Sequence, residues 1–385
     1  MSYQAPPRHK PPSGGREPVR YESPVRYDSQ RRYQVPLDYP RPPRKHAPVG
    51  RIVLWVVVVV LLTAPALWWG FRDDGASAPN LPDALSAADA HKHDDGPAAT
   101  DYVDIFDVPV AAPGPPAAPN ASTGSYQHDC GRNENKFHNP DNFIVVPGKQ
   151  SGAHHMHDYL GNQSVDWRTT DESLAASKET SCRLGDQSSY FWPVLRDITK
   201  TGEDAAQVGG GRDGNHGVIL PLADVRMEFL GNSQSKVVAM PRFLRLFTGN
   251  AKAITSDLAN ARSQWTCAGF ESRYTTKYPL CPDGAVQRVV EYPSCWNGKD
   301  TRSNDVRSHT AFPAMDGGCP AGTRAIPKLV ITLTYSAIPP GRTYALDAFP
   351  GEHRSPQTDH AGFANVMPED LMALIVDCVN DGRAC

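Results

Sequence analysis

A run of apolar residues, 52–71, has no charged side chain and divides the chain into two unequal parts. A helix of about 20 apolar residues is long enough to cross a bilayer, and a buried helix of a soluble protein rarely lacks charges over that length. Arg51 and Arg72 bound the run, and Trp68 and Trp69 lie near its C-terminal end, where interfacial aromatic rings are common. The sequence therefore predicts one transmembrane helix over residues 52–71.

The charges on either side of this run predict its orientation. Residues 1–51 contain 11 Lys and Arg against four Asp and Glu, whereas residues 72–107 contain nine Asp against Arg72 and Lys92. Because basic segments stay on the cytoplasmic side, we expect a single-pass protein of the cell membrane with a cytoplasmic N-terminus and an extracellular C-terminal domain. A cleaved signal peptide, with Ala76-Ser77-Ala78 as its cleavage site, is the alternative. The basic region and the apolar run are both longer than in a usual signal peptide, and either interpretation places the domain outside.

Cysteine usage indicates the same compartment. The chain has eight cysteines, and all of them follow residue 129. An even number of cysteines in an exported domain predicts disulfides. Zinc binding is less consistent with the sequence, since it has no Cys-x-x-Cys and its cysteine spacings fit no common zinc finger. Eight cysteines allow 105 pairings, of which proximity alone predicts Cys378 with Cys385.

Composition separates four regions. Residues 1–51 are rich in Pro, Arg and Tyr and contain a near-repeat over residues 18–29, so we expect a disordered cytoplasmic tail. This tail sets the topology and can also bind a cytoplasmic partner, whereas nucleic-acid binding is not expected of a short tail tethered to a membrane. After the membrane segment, residues 72–125 are rich in Ala, Pro, Asp and Gly and predict a flexible spacer. Residues 126–385 are enough for one globular domain.

The patterns within this domain predict a β-rich α+β fold. Residues 328–335 and 224–230 alternate between apolar and polar side chains, which predicts two strands bordering a core. Helices are expected only at residues 170–182 and after Pro368, where one stripe contains Leu371, Leu374, Ile375 and Cys378. Frequent Gly and Pro turns separate these elements, so the helices are expected to be peripheral.

The densest polar cluster is residues 154–158, His-His-Met-His-Asp, which follows a predicted strand at Phe143–Val146. In an extended segment, His155 and His157 lie on one face, and His154 and Asp158 lie on the other. Two imidazoles on one face can bind a divalent metal or contact a sugar hydroxyl, but a metal site needs further ligands from elsewhere in the fold. His309 and His360 come from distant stretches and can supply them.

Several blocks follow one another through this domain. They are His-Met-His-Asp at 155–158, Tyr-Phe-Trp-Pro-Val-Leu at 190–195, Pro-Arg-Phe-Leu-Arg-Leu-Phe-Thr-Gly at 241–249, Cys-Trp-Asn-Gly-Lys at 295–299, Ser-His-Thr-Ala-Phe-Pro at 308–313 and Gly-Cys-Pro at 318–320. In this order they resemble the extracellular proteins grouped as domain of unknown function 1996, known from fungi and bacteria, over residues 139–378. The family's last block, His-x-Asp-Phe-x-x-Gly-Trp, has lost its acid and its tryptophan at residues 360–367 here. If that acid is catalytic in the family, Asp359 or Asp158 must replace it.

The family has no assigned activity, so two functions remain open. The first is an enzyme acting on cell-envelope polysaccharide through one His-rich cleft, with three groups of candidate residues. Its predicted catalytic residues are His155, His157, Asp158, His309 and His360; its predicted ligand-binding residues are Trp192, Trp296, Lys299 and Asp300; and its possible divalent-metal ligands are His155, His157 and His309. The second is a non-catalytic glycan-binding or scaffold module. A serine hydrolase is a weaker third hypothesis, because the sequence has no Gly-x-Ser-x-Gly. The first two hypotheses differ in chemistry, yet a shared site requires the four histidines to converge in either case.

Overall fold

The computed structural model of the chain describes residues 96–336 and 338–385. Within these two ranges, no helix is both long enough and apolar enough to cross a membrane. The predicted cytoplasmic tail at 1–51 and transmembrane helix at 52–71 lie outside the described residues and stay predictions.

The described chain is dominated by short strands, in agreement with the predicted β-rich fold. The first nine are β1 Tyr102–Asp104, β2 Ser125–His128, β3 His138–Asn139, β4 His157–Gly161, β5 Ser189–Pro193, β6 Leu195–Asp197, β7 Val218–Ile219, β8 Asp224–Leu230 and β9 Arg245–Gly249. The next nine are β10 Trp265–Cys267, β11 Tyr278–Leu280, β12 Val286–Glu291, β13 Cys295–Trp296, β14 Thr310–Ala311, β15 Arg324–Ala325, β16 Lys328–Tyr335, β17 Tyr344–Leu346 and β18 His360–Ala364. The predicted strands at 224–230 and 328–335 are confirmed as β8 and β16.

Two five-stranded antiparallel sheets form the body of the domain. The first sheet has the order β10-β12-β16-β8-β2, and the second has the order β3-β4-β5-β18-β9. Smaller sheets β14-β13-β15 and β17-β6-β7 and the parallel pair β1-β11 lie beside them. Side chains of both large sheets share one buried core, with Phe229 and Ile331 from the first and Trp192 and Phe363 from the second.

The helices of the described chain are few and short, as predicted. They are α1 Asp171–Ala176 and α2 Glu369–Asn380, together with 3-10 turns at Ala99–Asp101, Ile105–Asp107, Arg183–Gly185, Gly211–Asp213 and Pro356–Thr358. The helix expected over 170–182 begins correctly, since Thr170 caps it, but it ends at Ala176. The helix expected after Pro368 is confirmed as α2, although Leu374 is 44% exposed and Met372 and Val379 are buried in its place.

Two predictions of local structure are wrong. The segment Phe143–Val146 is a turn rather than a strand, because the Asn142 side chain accepts hydrogen bonds from the backbone N–H groups of Ile144 and Val145. The flexible spacer does not extend to residue 125. Strand β1 pairs with β11, and Ile105 behind it is fully buried, so the folded domain begins before the predicted boundary at residue 126.

Four disulfides link the eight cysteines. The pairs are Cys130–Cys182, Cys267–Cys281, Cys295–Cys319 and Cys378–Cys385. The last pair confirms the one prediction made from proximity. Each of the others joins segments that only the folded chain brings together.

A buried ion pair connects the two large sheets. Arg288 on β12 donates through Nε and Nη2 to the two carboxylate oxygens of Asp359, at 3.1 and 2.6 Å. Its Nη1 donates to the Pro193 carbonyl at the end of β5 and to the Tyr335 hydroxyl on β16. Arg288 is fully buried and Asp359 is 5% exposed, so neither charge is hydrated and each is stabilised by the other.

We expect Asp359→Asn to lower the free energy of unfolding by about 3–5 kcal/mol, since it leaves the Arg288 guanidinium buried without a counter-charge. Urea denaturation of the purified chain measures this loss. Asp129→Asn is the matched control, because Asp129 pairs with Arg183 on the surface, where both side chains are more than half exposed. That control should change stability by less than about 1 kcal/mol. Equal effects of the two substitutions would contradict the role given to the buried pair.

Candidate metal centre

Three histidine side chains meet with their Nε2 atoms facing one another. The Nε2 atoms of His155 and His157 are 3.1 Å apart, and each lies 3.2–3.3 Å from Nε2 of His360. His157 begins β4, His155 precedes it, and His360 begins β18, which lies two strands away in the same sheet. Strand β5 lies between them and pairs with both, so the register of this sheet sets the meeting point.

The remaining ring nitrogens establish the protonation of two of these rings. His157 Nδ1 lies 3.1 Å from the Asp141 carbonyl oxygen, and His360 Nδ1 lies 2.8 Å from the Thr358 carbonyl oxygen. A carbonyl oxygen only accepts hydrogen bonds, so both Nδ1 atoms carry a hydrogen. In the neutral ring, Nε2 then has no hydrogen and carries a lone pair. The Nε2 lone pairs of His157 and His360 therefore face each other. Such an arrangement favours a cation between them.

The surroundings keep these imidazoles neutral. The three side chains are 0–2% exposed, and the rings of Phe349, Phe191 and Phe247 lie 5.2–5.8 Å from those of His155, His157 and His360 respectively. Burial lowers the pKa of His155 and of His157 well below 6.5. Repulsion from a positive charge on a neighbouring histidine lowers both pKa values further. Burial lowers the pKa of His360 to about 4. Neutral imidazole is the form that binds metals.

The geometry fits a tetrahedral metal ion. With metal–nitrogen bonds of about 2.0–2.1 Å, two ligand atoms of a tetrahedral site lie roughly 3.3–3.4 Å apart. The observed separations of 3.1–3.3 Å are close to that value. Three nitrogens leave a fourth position for water or another ligand, and an all-imidazole donor set suits zinc or copper rather than magnesium or calcium.

Asp141 was not a predicted site residue, yet it supports the centre. Its carbonyl oxygen accepts from His157 Nδ1 and from the Tyr159 hydroxyl, while its carboxylate accepts from the backbone N–H groups of Ser151 and Trp167. These bonds fix the segment on both sides of the first two histidines. The only signal in the sequence was a polar turn, Asn-Pro-Asp-Asn, at residues 139–142.

His309 does not join the other three histidines. Its Nε2 lies 2.6 Å from the Arg245 carbonyl oxygen and its Nδ1 lies 2.9 Å from Ser303 Oγ. It lines an open cavity at the other end of β9 and β18. The predicted metal set of His155, His157 and His309 is therefore wrong in its third member, which the structure replaces with His360. The four histidines therefore do not share the single cleft predicted from the sequence. His155, His157 and His360 converge at one position, and His309 lies in a separate cavity.

The predicted acids are also directed elsewhere. Asp158 lies on the opposite face of β4 from His157, and its carboxylate accepts a hydrogen bond from Asn133 and lies 2.9 Å from His138 Nδ1. Asp359, the other substitute for the acid missing from the last family block, is occupied by both nitrogens of the Arg288 fork. Neither carboxylate is placed to act as an acid or base at the three-histidine centre.

The predicted ligand-binding residues divide in the same way. Trp192 is fully buried in the shared core and offers no surface to a sugar ring. Trp296 packs against that core and its Nε1 donates to the Asp300 carbonyl, at 2.7 Å. Lys299 and Asp300 are exposed on the loop that continues to Arg302 and the open cavity. In sequence they are close to His309 and far from the three histidines of the metal centre.

The model of a protein family described as domain of unknown function 1996 matches residues 142–360, more than half of the chain. The chain belongs to this family. The match confirms the resemblance seen in the sequence blocks, and it spans all three converging histidines. In this member of the domain of unknown function 1996 family, the matched region ends at His360, directly before the residues that depart from the family pattern. No curated protein and no solved structure matches the chain.

The lowered histidine pKa values predict acid sensitivity of the protein freed of metal by a chelator. Unfolded histidines bind protons near pH 6.5, whereas folded His360 does so only near pH 4, so stability is fully present above pH 6.5 and falls as the pH drops towards 4. Three such residues contribute up to about 4 kcal/mol per pH unit.

Urea denaturation in steps between pH 7 and 4 measures this slope. The matched variant replaces His155, His157 and His360 with Gln, which cannot titrate in this range, and its slope should be shallower. A slope that is the same in both proteins would show that other groups cause the acid sensitivity.

Proposed function

We propose that this protein is a membrane-anchored envelope protein whose extracytoplasmic domain binds a zinc or copper ion through His155, His157 and His360. The convergence of three Nε2 atoms within 3.1–3.3 Å carries the proposal. The four disulfides support an oxidising compartment. The apolar run at 52–71 and the basic tail before it support the membrane anchor and its orientation.

Alternative uses of the cluster account for less of its geometry. Buried histidines usually satisfy both ring nitrogens with protein partners, but here the three Nε2 atoms point at one another. Without a metal, a single hydrogen on His155 Nε2 would be shared between the Nε2 atoms of His157 and His360. Both of these shared hydrogen bonds would be bent and weak. A metal ion satisfies all three lone pairs at once.

Because the centre is buried, the main role of the ion in this proposal is to stabilise the fold. An ion held by β4 and β18 connects the two halves of the second sheet around β5. Because the three histidines are assembled only in the folded protein, metal binding stabilises that state by mass action, by about 4 kcal/mol when the free metal is a thousandfold above its dissociation constant.

A catalytic role on envelope polysaccharide is the second candidate. The observation that favours it is the donor set, since three neutral imidazoles and one open position can bind and activate a water molecule. Against it, the three rings are at most 2% exposed, so a polymer reaches the ion only if the segments around Phe349 move. The metal-binding function does not depend on that step.

We expect the purified chain to bind about one zinc or copper ion per molecule and His360→Ala to bind less than about a tenth of that. Elemental analysis after dialysis against each metal measures the ratio. His309→Ala is the matched control, because His309 is equally buried but its nitrogens face Arg245 and Ser303. It should retain full metal content. Loss of metal in the control, or metal retained in His360→Ala, would contradict the assignment.

The catalytic candidate makes a separate prediction. If the ion is catalytic, the metal-loaded chain should release reducing ends from an envelope polysaccharide, and both chelation and His155→Gln should abolish the release. A loaded, folded protein that yields no product from α-glucan, β-glucan, chitin or peptidoglycan would leave the metal centre with its structural role alone.

A further inference from the structure

An open cavity of about 460 Å³ lies at the far end of the strand pair β9-β18 from the metal centre. In this antiparallel pair, His360 lies opposite Gly249 and Ala364 lies opposite Arg245. Arg245 lines the cavity, so the cavity lies four residues along the strands, or roughly 13 Å, from the metal ligand. Its volume falls within the range of about 300–1,000 Å³ that is typical of small-molecule sites.

The polar part of the cavity is an ordered network. Asp171 accepts a hydrogen bond from Arg245 Nη2 at 2.8 Å and another from Arg302 Nη1 at 3.3 Å. Glu172 and His309 also line this part, and burial lowers the pKa of His309, which favours its neutral form. Two arginines face two carboxylates, so the lining has no net charge. Such a lining favours a neutral, polar ligand over an anion or a cation.

One donor in this network lacks a partner. The Arg245 side chain is 8% exposed, and its Nη1 and Nη2 bond to the Phe143 carbonyl and to Asp171. Its buried Nε has no hydrogen-bond partner in the described part of the chain. A buried donor without a partner costs about 1–3 kcal/mol. Arg302, in contrast, is 60% exposed at the rim.

The rest of the cavity lining includes an apolar part. It contains Ile144, Val145, Pro147 and Val306, and the Val145 side chain is 40% exposed to solvent. A ligand that matches both parts must have an apolar face and a rim of uncharged hydroxyl groups. A pyranose ring has this character, because its axial C–H groups form an apolar face while its equatorial hydroxyls donate and accept hydrogen bonds.

We propose that this cavity binds a neutral sugar unit of an oligo- or polysaccharide, with Arg302 and Asp171 contacting hydroxyls and Val145 packing against the ring. The open side lets the rest of a polymer continue into solvent. Since none of these side chains ligates the metal, sugar binding here is independent of the metal centre and goes beyond the proposed metal-binding function. Lys299 and Asp300 precede Arg302 on the same loop but do not line the cavity.

Titration calorimetry of the purified full chain tests the proposal with laminarihexaose, maltohexaose and chitohexaose as neutral probes and a galacturonic-acid hexamer as the anionic probe. We expect at least one neutral oligosaccharide to bind, and Arg302→Ala and Val145→Asp each to weaken it at least tenfold. Arg183→Ala is the matched control, because Arg183 is a surface arginine that pairs with an aspartate elsewhere on the domain. It should leave the affinity unchanged.

Chelation separates this proposal from the metal function, since removal of metal should leave the oligosaccharide affinity unchanged. Glucose and free N-acetylglucosamine distinguish a polymer site from a monosaccharide site, and a polymer site should bind the hexamers at least tenfold more tightly. The proposal is overturned if no neutral oligosaccharide binds, if only the anionic hexamer binds, or if the two cavity variants bind as well as the Arg183→Ala control.

Discussion

The placement of the candidate metal centre depends on one buried ion pair, Arg288 with Asp359. The guanidinium holds both oxygens of Asp359, directly before His360, and also the carbonyl of Pro193. Pro193 lies opposite His157 in the β4-β5 register. One side chain from the first sheet therefore fixes the strand ends that position two of the three converging histidines in the second. A small shift of this pair would separate Nε2 atoms that now lie 3.3 Å apart.

The same ion pair affects the chemistry of the histidines. The positive charge of Arg288 lowers the pKa of His157 and of His360, in addition to the larger effect of burial. Both effects keep the imidazoles neutral, and neutral imidazole is a metal ligand. The Asp359 carboxylate balances the arginine charge, so a divalent cation at the centre does not meet an uncompensated positive neighbour. Structural stability and readiness to bind metal thus have a common origin.

The sequence predicted those features that depend on local pattern. Strands at 224–230 and 328–335 agree with the structure because their alternation is long and borders a core, and Cys378 pairs with Cys385 because only six residues separate them. The strand at 143–146 was wrong because the Asn142 side chain bonds to the backbone just after it. The choice between His309 and His360 depended on strand register, which links residues about 200 positions apart and leaves no trace in local spacing.

The separation of the two sites has a physical consequence for their coupling. The metal centre and the open cavity lie at opposite ends of one strand pair, and each is held by bonds of its own, to Asp141 and Thr358 at one end and to Asp171 at the other. Coupling between distant sites requires an element with two arrangements that both sites favour differently. The antiparallel pair β9-β18 lies at the edge of the second sheet and has one regular register, so the metal would support the scaffold of the cavity without acting as a switch for it.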